Sequence, residues 1–145
     1  MTKGFNEINF KIVTPEKIVY EDVISKVTLP TLVGQITILP NHESLVGVIV
    51  PGEICITKKN EGDFCFLAVD DGFLEVDDNS VRVFADMASK AEDLDEELIL
   101  KATEEAKKAM EERKTTSEIK FLEASNRLKR ELIKLKVLKK HKNRK

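Results

Sequence analysis

Cysteine, tryptophan and tyrosine are all scarce in this sequence of 145 residues, which has two Cys, no Trp and one Tyr. Cys55 and Cys65 are too few for a disulfide framework and lack C-x-x-C spacing, so we expect reduced thiols that pack in a core on neighbouring strands, where they could lie across from each other. The sequence also lacks a G-x-S-x-G motif, a Gly-rich phosphate loop and a His paired with either Cys. We therefore predict no enzymatic activity, no cofactor and no metal site.

Long hydrophobic runs are missing as well. The longest strongly apolar stretch, Leu45 to Val50, is far shorter than the roughly 20 residues that span a bilayer. The first four residues, MTKG, do not begin a secretory signal. We expect no direct membrane insertion, so any membrane association would run through partners.

All four prolines and six glycines fall within the first 72 residues. In that part apolar and polar residues alternate, as at Ile8, Phe10 and Ile12, which is typical of half-buried strands. The predicted strands cover residues 8–12, 23–29, 34–38, 45–50, 53–58, 64–69, 73–76 and 80–85. Turn residues such as Pro51-Gly52 separate them. This pattern predicts a compact antiparallel β-sandwich over residues 1–86.

Beyond Ala88 the apolar spacing becomes helical. Asp93, with Glu96 three residues later, is the predicted cap of a first helix, and Thr115 with Glu118 is the predicted cap of a second. The predicted apolar stripes are Leu98, Ala102, Ala106, Ala109 and Met110, then Phe121, Ala124, Ser125, Leu128, Leu132, Leu135 and Leu138. With a short connection at residues 114–117, the pattern predicts an antiparallel helical hairpin over residues 87–145. The predicted fold class is therefore α+β.

Charge is strongly segregated along the chain. Ten of the last nineteen residues are Lys or Arg, opposed only by Glu131, although the whole chain has a net charge of −2. The preceding part holds 14 basic and 25 acidic residues and therefore sums to −11. Two helices of this length bury little apolar surface, so we expect the hairpin to be stable only when it is docked. Its basic charge indicates that the docking surface is acidic, either its own sandwich or a partner. The contacts are expected inside the helix, with residues 139 onward as a frayed tail; the expected contact residues are Arg127, Lys129, Arg130 and Lys134.

Two other interpretations of the basic helix stay open. It could bind nucleic acid, or it could lie on an anionic membrane surface. A pI near 5.8 and few aromatic residues in the basic segment argue against nucleic acid. The apolar stripe along the same segment favours a protein groove.

An ordered set of segments across essentially the full chain resembles the epsilon subunit of bacterial F-type ATP synthases. These segments are Phe10–Glu16, Gly34–His42, Pro51–Gly52, Gly72–Val76, Val81–Asp86, Asp93–Asp95 and Ala124–Ser125. The resemblance implies a non-catalytic rotor subunit on the cytoplasmic face of the cell membrane, in a proton-translocating complex. Its sandwich would bind the gamma subunit and the c-ring. Its hairpin would either lie folded on the sandwich or extend towards the catalytic alpha and beta subunits, and the extended form would block ATP hydrolysis.

The resemblance also assigns Gln35 and His42 to the region that approaches the c-ring and the gamma subunit. Gln35 stands where some relatives have Glu, so a contact there would be a neutral hydrogen bond worth about 0.5–1.5 kcal/mol. Thr37 likewise replaces a small residue common in the family. For His42 an alternative is a purely local role in ordering the Pro40-Asn41 turn.

A regulatory ATP site is the other feature that the resemblance raises. Its motif, I/L-D-x-x-R-A, is kept at Leu94 and Asp95, but Leu98 stands in place of the Arg and Ile99 in place of the Ala. Loss of a guanidinium removes a bidentate phosphate donor. The sequence therefore argues against high-affinity ATP binding. The presence of an acid at position 95 is explained without ATP, because a negative charge near a helix N-terminus is favourable.

Overall fold

The computed structural model describes residues 6–60, 62–113 and 118–143. The chain divides between Lys90 and Ala91 into two compact units, a β-structure and a helical pair. The sequence placed this boundary at 86/87. The observed division lies four residues later because a short strand after residue 86 pairs with the sheet.

Within residues 6–60 and 62–90 the chain forms nine strands. They are β1 (Ile8–Val13), β2 (Ile18–Thr31), β3 (Gly34–Ile38), β4 (Leu45–Ile49), β5 (Gly52–Lys58), β6 (Phe64–Val69), β7 (Gly72–Asp77), β8 (Ser80–Ala85) and β9 (Ala88–Lys90). The eight predicted strands are confirmed. β2 begins five residues earlier than predicted, and β9 is additional.

The sheet runs in the order β1-β8-β7-β4-β2-β5-β6-β9, and β3 also pairs with β2. All pairings are antiparallel except the one between β1 and β8. β2 pairs with four other strands, and its register shifts between Ile24 and Lys26. A bulge of this kind bends a strand, so one long strand serves both layers of the sandwich.

The core follows the predicted alternation. Along β1, Ile8, Phe10 and Ile12 are buried, while Asn9 between them is exposed. The Phe10 ring lies 6.0 Å from the ring of Tyr20 in a tilted arrangement. Each large side chain buried in this way contributes about 1.5–3 kcal/mol. The sandwich therefore carries its own core.

The two cysteines do not form a disulfide. They lie on the neighbouring strands β5 and β6, as predicted, but Cys55 is opposite Phe66 and Cys65 is opposite Ile56. A one-residue offset turns successive side chains to opposite faces of a sheet. The expectation that the thiols could lie across from each other is therefore wrong.

The second unit contains a short 3₁₀ turn at Ala91–Asp93, followed by α1 (Glu96–Arg113) and α2 (Glu118–Asn143), which pack against each other. Asp95 caps α1, because its Oδ1 accepts hydrogen bonds from the backbone N–H groups of Glu97 (3.0 Å) and Leu98 (3.3 Å). The predicted cap, Asp93, is wrong because that residue belongs to the 3₁₀ turn. The Thr115 cap and the connection at 114–117 lie outside the described residues.

The buried faces of the helices differ in part from the predicted stripes. On α1 the predicted Ala106 is buried, but Leu98 is 66% exposed, and Ile99 and Thr103 are buried instead. Ile99, Thr103 and Ala106 are spaced four and three residues apart, so they share one face of α1, whereas Leu98 lies about 100° from Ile99. On α2 the side chains of Ala124 and Leu138 are buried as predicted.

Two expectations about α2 are wrong. Leu132 is 46% exposed, whereas its neighbour Glu131 is buried. The helix also continues to Asn143, so residues 139–143 are not a frayed tail. Burial of Val137 and Leu138 holds its last turns. Neither described helix is long and apolar enough to cross a membrane.

Candidate docking surfaces

The outer side of β4, β7 and β8 carries exposed apolar residues in register. Val48 on β4 lies opposite Phe73 on β7, and Phe73 lies opposite Phe84 on β8. The row continues to Val13 on β1, which is opposite Phe84. Phe73 is 62% exposed. Four apolar residues on four adjacent strands thus form a continuous row, which we call the apolar face.

The turn between β2 and β3 extends this surface. Its tip holds Leu32 and Val33, which are 72% and 89% exposed. Together with Val46, Val48 and Phe73 they line one shallow apolar cleft. Contiguous apolar surface of this kind marks a site of interaction with another macromolecule.

A second row beside the apolar face is charged but internally paired. Opposite Val46 lies Glu75, then Arg82 on β8 and Lys11 on β1. The Arg82 guanidinium forms an ion pair with Glu75, and the Lys11 ammonium lies 3.4 Å from the Glu21 carboxylate. Because the charges cancel in pairs, apolar contact is the dominant chemistry that this surface offers.

The structure does not bring Gln35 and His42 together. Gln35 is exposed near the start of β3, opposite Pro30 and next to the Leu32-Val33 tip. His42 follows the other end of β3 in the connection to β4. Its Nδ1–H donates to the Glu43 carbonyl oxygen at 2.8 Å. Both roles of His42, contact with a subunit and ordering of the Pro40-Asn41 turn, stay predictions.

The basic residues predicted to contact a partner are partly engaged inside the helical unit. The Arg127 guanidinium lies 3.5 Å from Glu105 of α1, and the Lys134 ammonium lies 3.3 Å from Glu131. Lys129 is exposed. A further ion pair joins Lys142 of α2 to Glu96 of α1. Acidic residues of α1 therefore offset part of the basic charge of α2.

Asp95 has a structural role, because its carboxylate caps α1. Leu98 is exposed and Ile99 is buried at the two positions where the ATP motif departs from its pattern. Within the described residues no group of three or more His, Cys, Asp or Glu side chains could hold a metal ion. The absence of high-affinity ATP binding at these positions stays a prediction.

The apolar face was not predicted as a site, although the sequence carries a signal for it. The run Leu45 to Val50 is apolar without alternation, as is Phe64 to Val69, whereas a half-buried strand such as β1 alternates apolar and polar residues. A strand that is apolar on both sides indicates that both of its faces are covered. One side of β4 faces the core through Ile49, and the other side is the apolar face.

Fold and surface together describe a β-sandwich module with a helical appendage and an uncovered apolar face. Residues 7–91 match the family described as the ATP synthase delta/epsilon chain, beta-sandwich domain. The ATP synthase epsilon chain of Herpetosiphon aurantiacus is 35% identical over 137 residues, which cover 94% of this chain and 98% of that relative. The epsilon chain of Chloroflexus aggregans is 32% identical over 93% of this chain and 94% of its own length.

Solved structures share the fold. A chain of the Euglena gracilis mitochondrial ATP synthase, in a structure of OSCP, F1 and the c-ring, superposes with a TM-score of 0.73 at 21% identity, covering 86% of this chain and 76% of that chain. A chain from the Tetrahymena thermophila mitochondrial central stalk and c-ring gives 0.50 at 17% identity, over 59% and 68%. The chain belongs to the ATP synthase epsilon chain family, whose members are non-catalytic subunits.

Proposed function

We propose that this protein is a rotor subunit of the central stalk in a proton-translocating F-type ATP synthase, peripheral on the cytoplasmic face of the cell membrane. It couples the catalytic head to the c-ring. Membership of the epsilon family supports this role. One structural relative comes from an assembly of OSCP, F1 and the c-ring, and the other from a central stalk with a c-ring.

The observation that carries the proposal is the apolar face. Val48, Phe73 and Phe84 lie side by side on three strands and are 43–62% exposed in the isolated chain. Covering such a surface contributes roughly 25 cal/mol per Å² of apolar area. We assign the apolar face to the gamma subunit, and the β2–β3 turn with Gln35 and the loop with His42 to the c-ring.

Replacement of Phe73 by Glu tests the assignment to gamma. The side chain is mostly exposed, so the sandwich should fold normally while binding to purified gamma subunit weakens at least about tenfold. Lys26→Glu is the control, since Lys26 is an exposed strand residue that lines neither apolar cleft and lies outside the segment assigned to the c-ring. Equal binding by the Phe73→Glu and Lys26→Glu proteins would contradict the assignment.

The helical unit is proposed to inhibit ATP hydrolysis by contacting the alpha and beta subunits through Arg127, Lys129, Arg130 and Lys134. Support comes from the basic surface of α2 and from two polar residues, Thr103 and Glu131, buried in a short helical pair. A pair of helices with polar residues in its interior is only weakly stabilised and can exchange one docking surface for another. No cofactor is assigned to it.

Removal of everything after Lys90 tests the inhibitory role. The division between the units falls there, so the sandwich should keep its fold and still bind the complex. Hydrolysis by the assembled enzyme should rise. Unchanged hydrolysis would contradict inhibition and leave the rotor role intact.

Binding of the complete 145-residue chain to DNA and to anionic vesicles tests the two alternative functions of the basic helix. The ion pairs of Arg127 with Glu105 and of Lys142 with Glu96 reduce the positive charge available to either surface. Binding to DNA or to vesicles that is tighter than binding to the ATP synthase subunits would overturn the assignment.

A further inference from the structure

We propose that Glu131 is a built-in weak point between α1 and α2: a carboxylate in the middle of their contact that keeps the two helices separable. This inference rests on the proposed inhibitory function only for its biological meaning. The physical statement concerns the helical unit alone. Glu131 is 9% exposed and is the one acidic residue among the last nineteen of the chain.

The position of Glu131 on α2 is fixed by the residues that reach α1. Arg127 and Lys142 form ion pairs with Glu105 and Glu96 of α1, so both lie on the side of α2 that faces α1. At about 100° per residue, Glu131 lies between them, about 40° from Arg127 and about 20° from Lys142. Glu131 therefore lies on the side of α2 that faces α1.

The spacing of buried residues gives the same result independently. Ala124, Glu131 and Leu138 follow one another at intervals of seven residues, and all three are buried. Residues seven apart occupy the same position of a heptad, so Glu131 takes a core position between two apolar ones. A polar residue at such a position lowers the stability of paired helices.

The partner of Glu131 explains why its burial works against closure. Its carboxylate lies 3.3 Å from the ammonium of Lys134, three residues along the same helix. This ion pair is retained when α1 and α2 separate. Desolvation of the carboxylate, in contrast, is suffered only when the helices close over it. Packing of α1 against α2 therefore desolvates Glu131, and the ion pair with Lys134 does not offset this cost because it is present in both states.

A buried polar residue on α1 lies at a matching level. The pairs of Arg127 with Glu105 and of Lys142 with Glu96 set the antiparallel register, so Glu131 faces a turn of α1 between about residues 101 and 107. Thr103 lies in that turn and is 5% exposed. Its hydroxyl donates to the carbonyl of Ile99 in its own helix at 2.8 Å. Each helix thus satisfies its own polar group, and the middle of the contact gains little from pairing.

Replacement of Glu131 by Met tests the inference, because Met is similar in length, is a good helix former and fills apolar gaps. Hydrogen exchange on the full chain should slow about tenfold in α1 and α2, equivalent to about 1.4 kcal/mol, while the strands stay unchanged. Glu123→Met is the matched control, since Glu123 is exposed on the same helix. It should leave exchange unaltered.

Glu131→Ala guards against a simple packing clash, because it removes the carboxylate without adding bulk. Exchange in α1 and α2 that is as fast as in the unmodified protein, or faster, in both Glu131 variants would overturn the inference. In the assembled ATP synthase the Glu131→Met subunit should also inhibit hydrolysis less, since the helices separate less readily. Slower exchange with unchanged hydrolysis would support the weak point and count against the inhibitory role.

Discussion

Asn41 and Asn79 hold each other across two turns of the sandwich that are 38 residues apart in sequence. The backbone N–H of Asn41 donates to Asn79 Oδ1 at 2.5 Å, and Asn79 Nδ2 donates to Asn41 Oδ1 at 3.2 Å. Both residues have positive φ, 66° and 58°. Asn tolerates this region better than most residues, so one residue type meets both the conformational and the hydrogen-bonding need.

Asn79→Gly separates these two contributions. Gly accepts the positive φ, so this variant loses only the hydrogen bonds, with an expected decrease of about 0.5–1.5 kcal/mol in the free energy of unfolding. Asn79→Ala should cost about 1 kcal/mol more, because Ala also strains the backbone. Urea denaturation measures both. Equal stability of the Gly and Ala variants would show that backbone strain does not contribute.

Gly72 is required by its close approach to β8. A Cβ at this position would lie 2.0 Å from the carbonyl oxygen of Phe84 and 2.8 Å from the Cα of Ala85, and both are backbone atoms. We expect Gly72→Ala to destabilise the sandwich by about 1–3 kcal/mol or more. In Gly47→Ala the Cβ would meet only ordinary side-chain contacts at 3.8 Å, so the change should be under about 1 kcal/mol. Thermal unfolding measures both variants. Equal unfolding midpoints for Gly72→Ala and Gly47→Ala would contradict the prediction.

The single tyrosine predicts a loss of stability at high pH. Burial, with the nearby charges of Cys65 and Asp22 adding to it, raises the pKa of Tyr20 well above its ordinary value of 10.0. A group whose folded pKa is raised contributes stability that is present below its unfolded pKa and is lost as pH rises. The free energy of unfolding should therefore fall as pH increases beyond about 10.

Tyr20→Phe is the control for this pH dependence, and its free energy of unfolding should fall less steeply over the same range. Because the chain has one Tyr and no Trp, the ultraviolet absorbance of tyrosinate reports this side chain alone. A phenol that ionises near pH 10 in the folded protein would contradict the prediction.

Charge reversal along α2 locates the inhibitory contact. Lys129 and Lys139 are both exposed on this helix, and Lys129 lies inside the predicted contact. We expect Lys129→Glu to relieve inhibition of ATP hydrolysis more than Lys139→Glu does, and the difference should shrink with added salt because exposed pairs are screened. Equal relief by the two variants would place the contact elsewhere.

The strands were predictable from the sequence because alternation and turn residues act locally. Ile8, Phe10 and Ile12 show the pattern directly, and the turn at Pro51-Gly52 separates β4 from β5. β9 could not be predicted, since Ala88-Ser89-Lys90 has no apolar alternation and is ordered by hydrogen bonds to β6. Its existence depends on tertiary pairing, which local sequence does not encode.

The candidate sites were harder to predict than the fold. Two Asp residues, Asp93 and Asp95, both precede α1, and local spacing alone did not identify the one that caps it. Phe73 and Phe84 are exposed in the structure, but the sequence does not distinguish them from core residues, because an apolar side chain at a binding surface has the same chemistry as one in the core. The burial of Glu131 is likewise set by packing between helices rather than by its neighbours in sequence.

The short strand β9 has a practical consequence for shortened forms of the protein. It covers the outer edge of β6 through Leu67, Ala68 and Val69, which are themselves buried. A chain cut before residue 88 would leave a row of backbone donors and acceptors open along an apolar strand, which invites pairing with a second molecule. Self-association of such a fragment would come from the open edge of β6, and it would not show that the helices keep the protein monomeric.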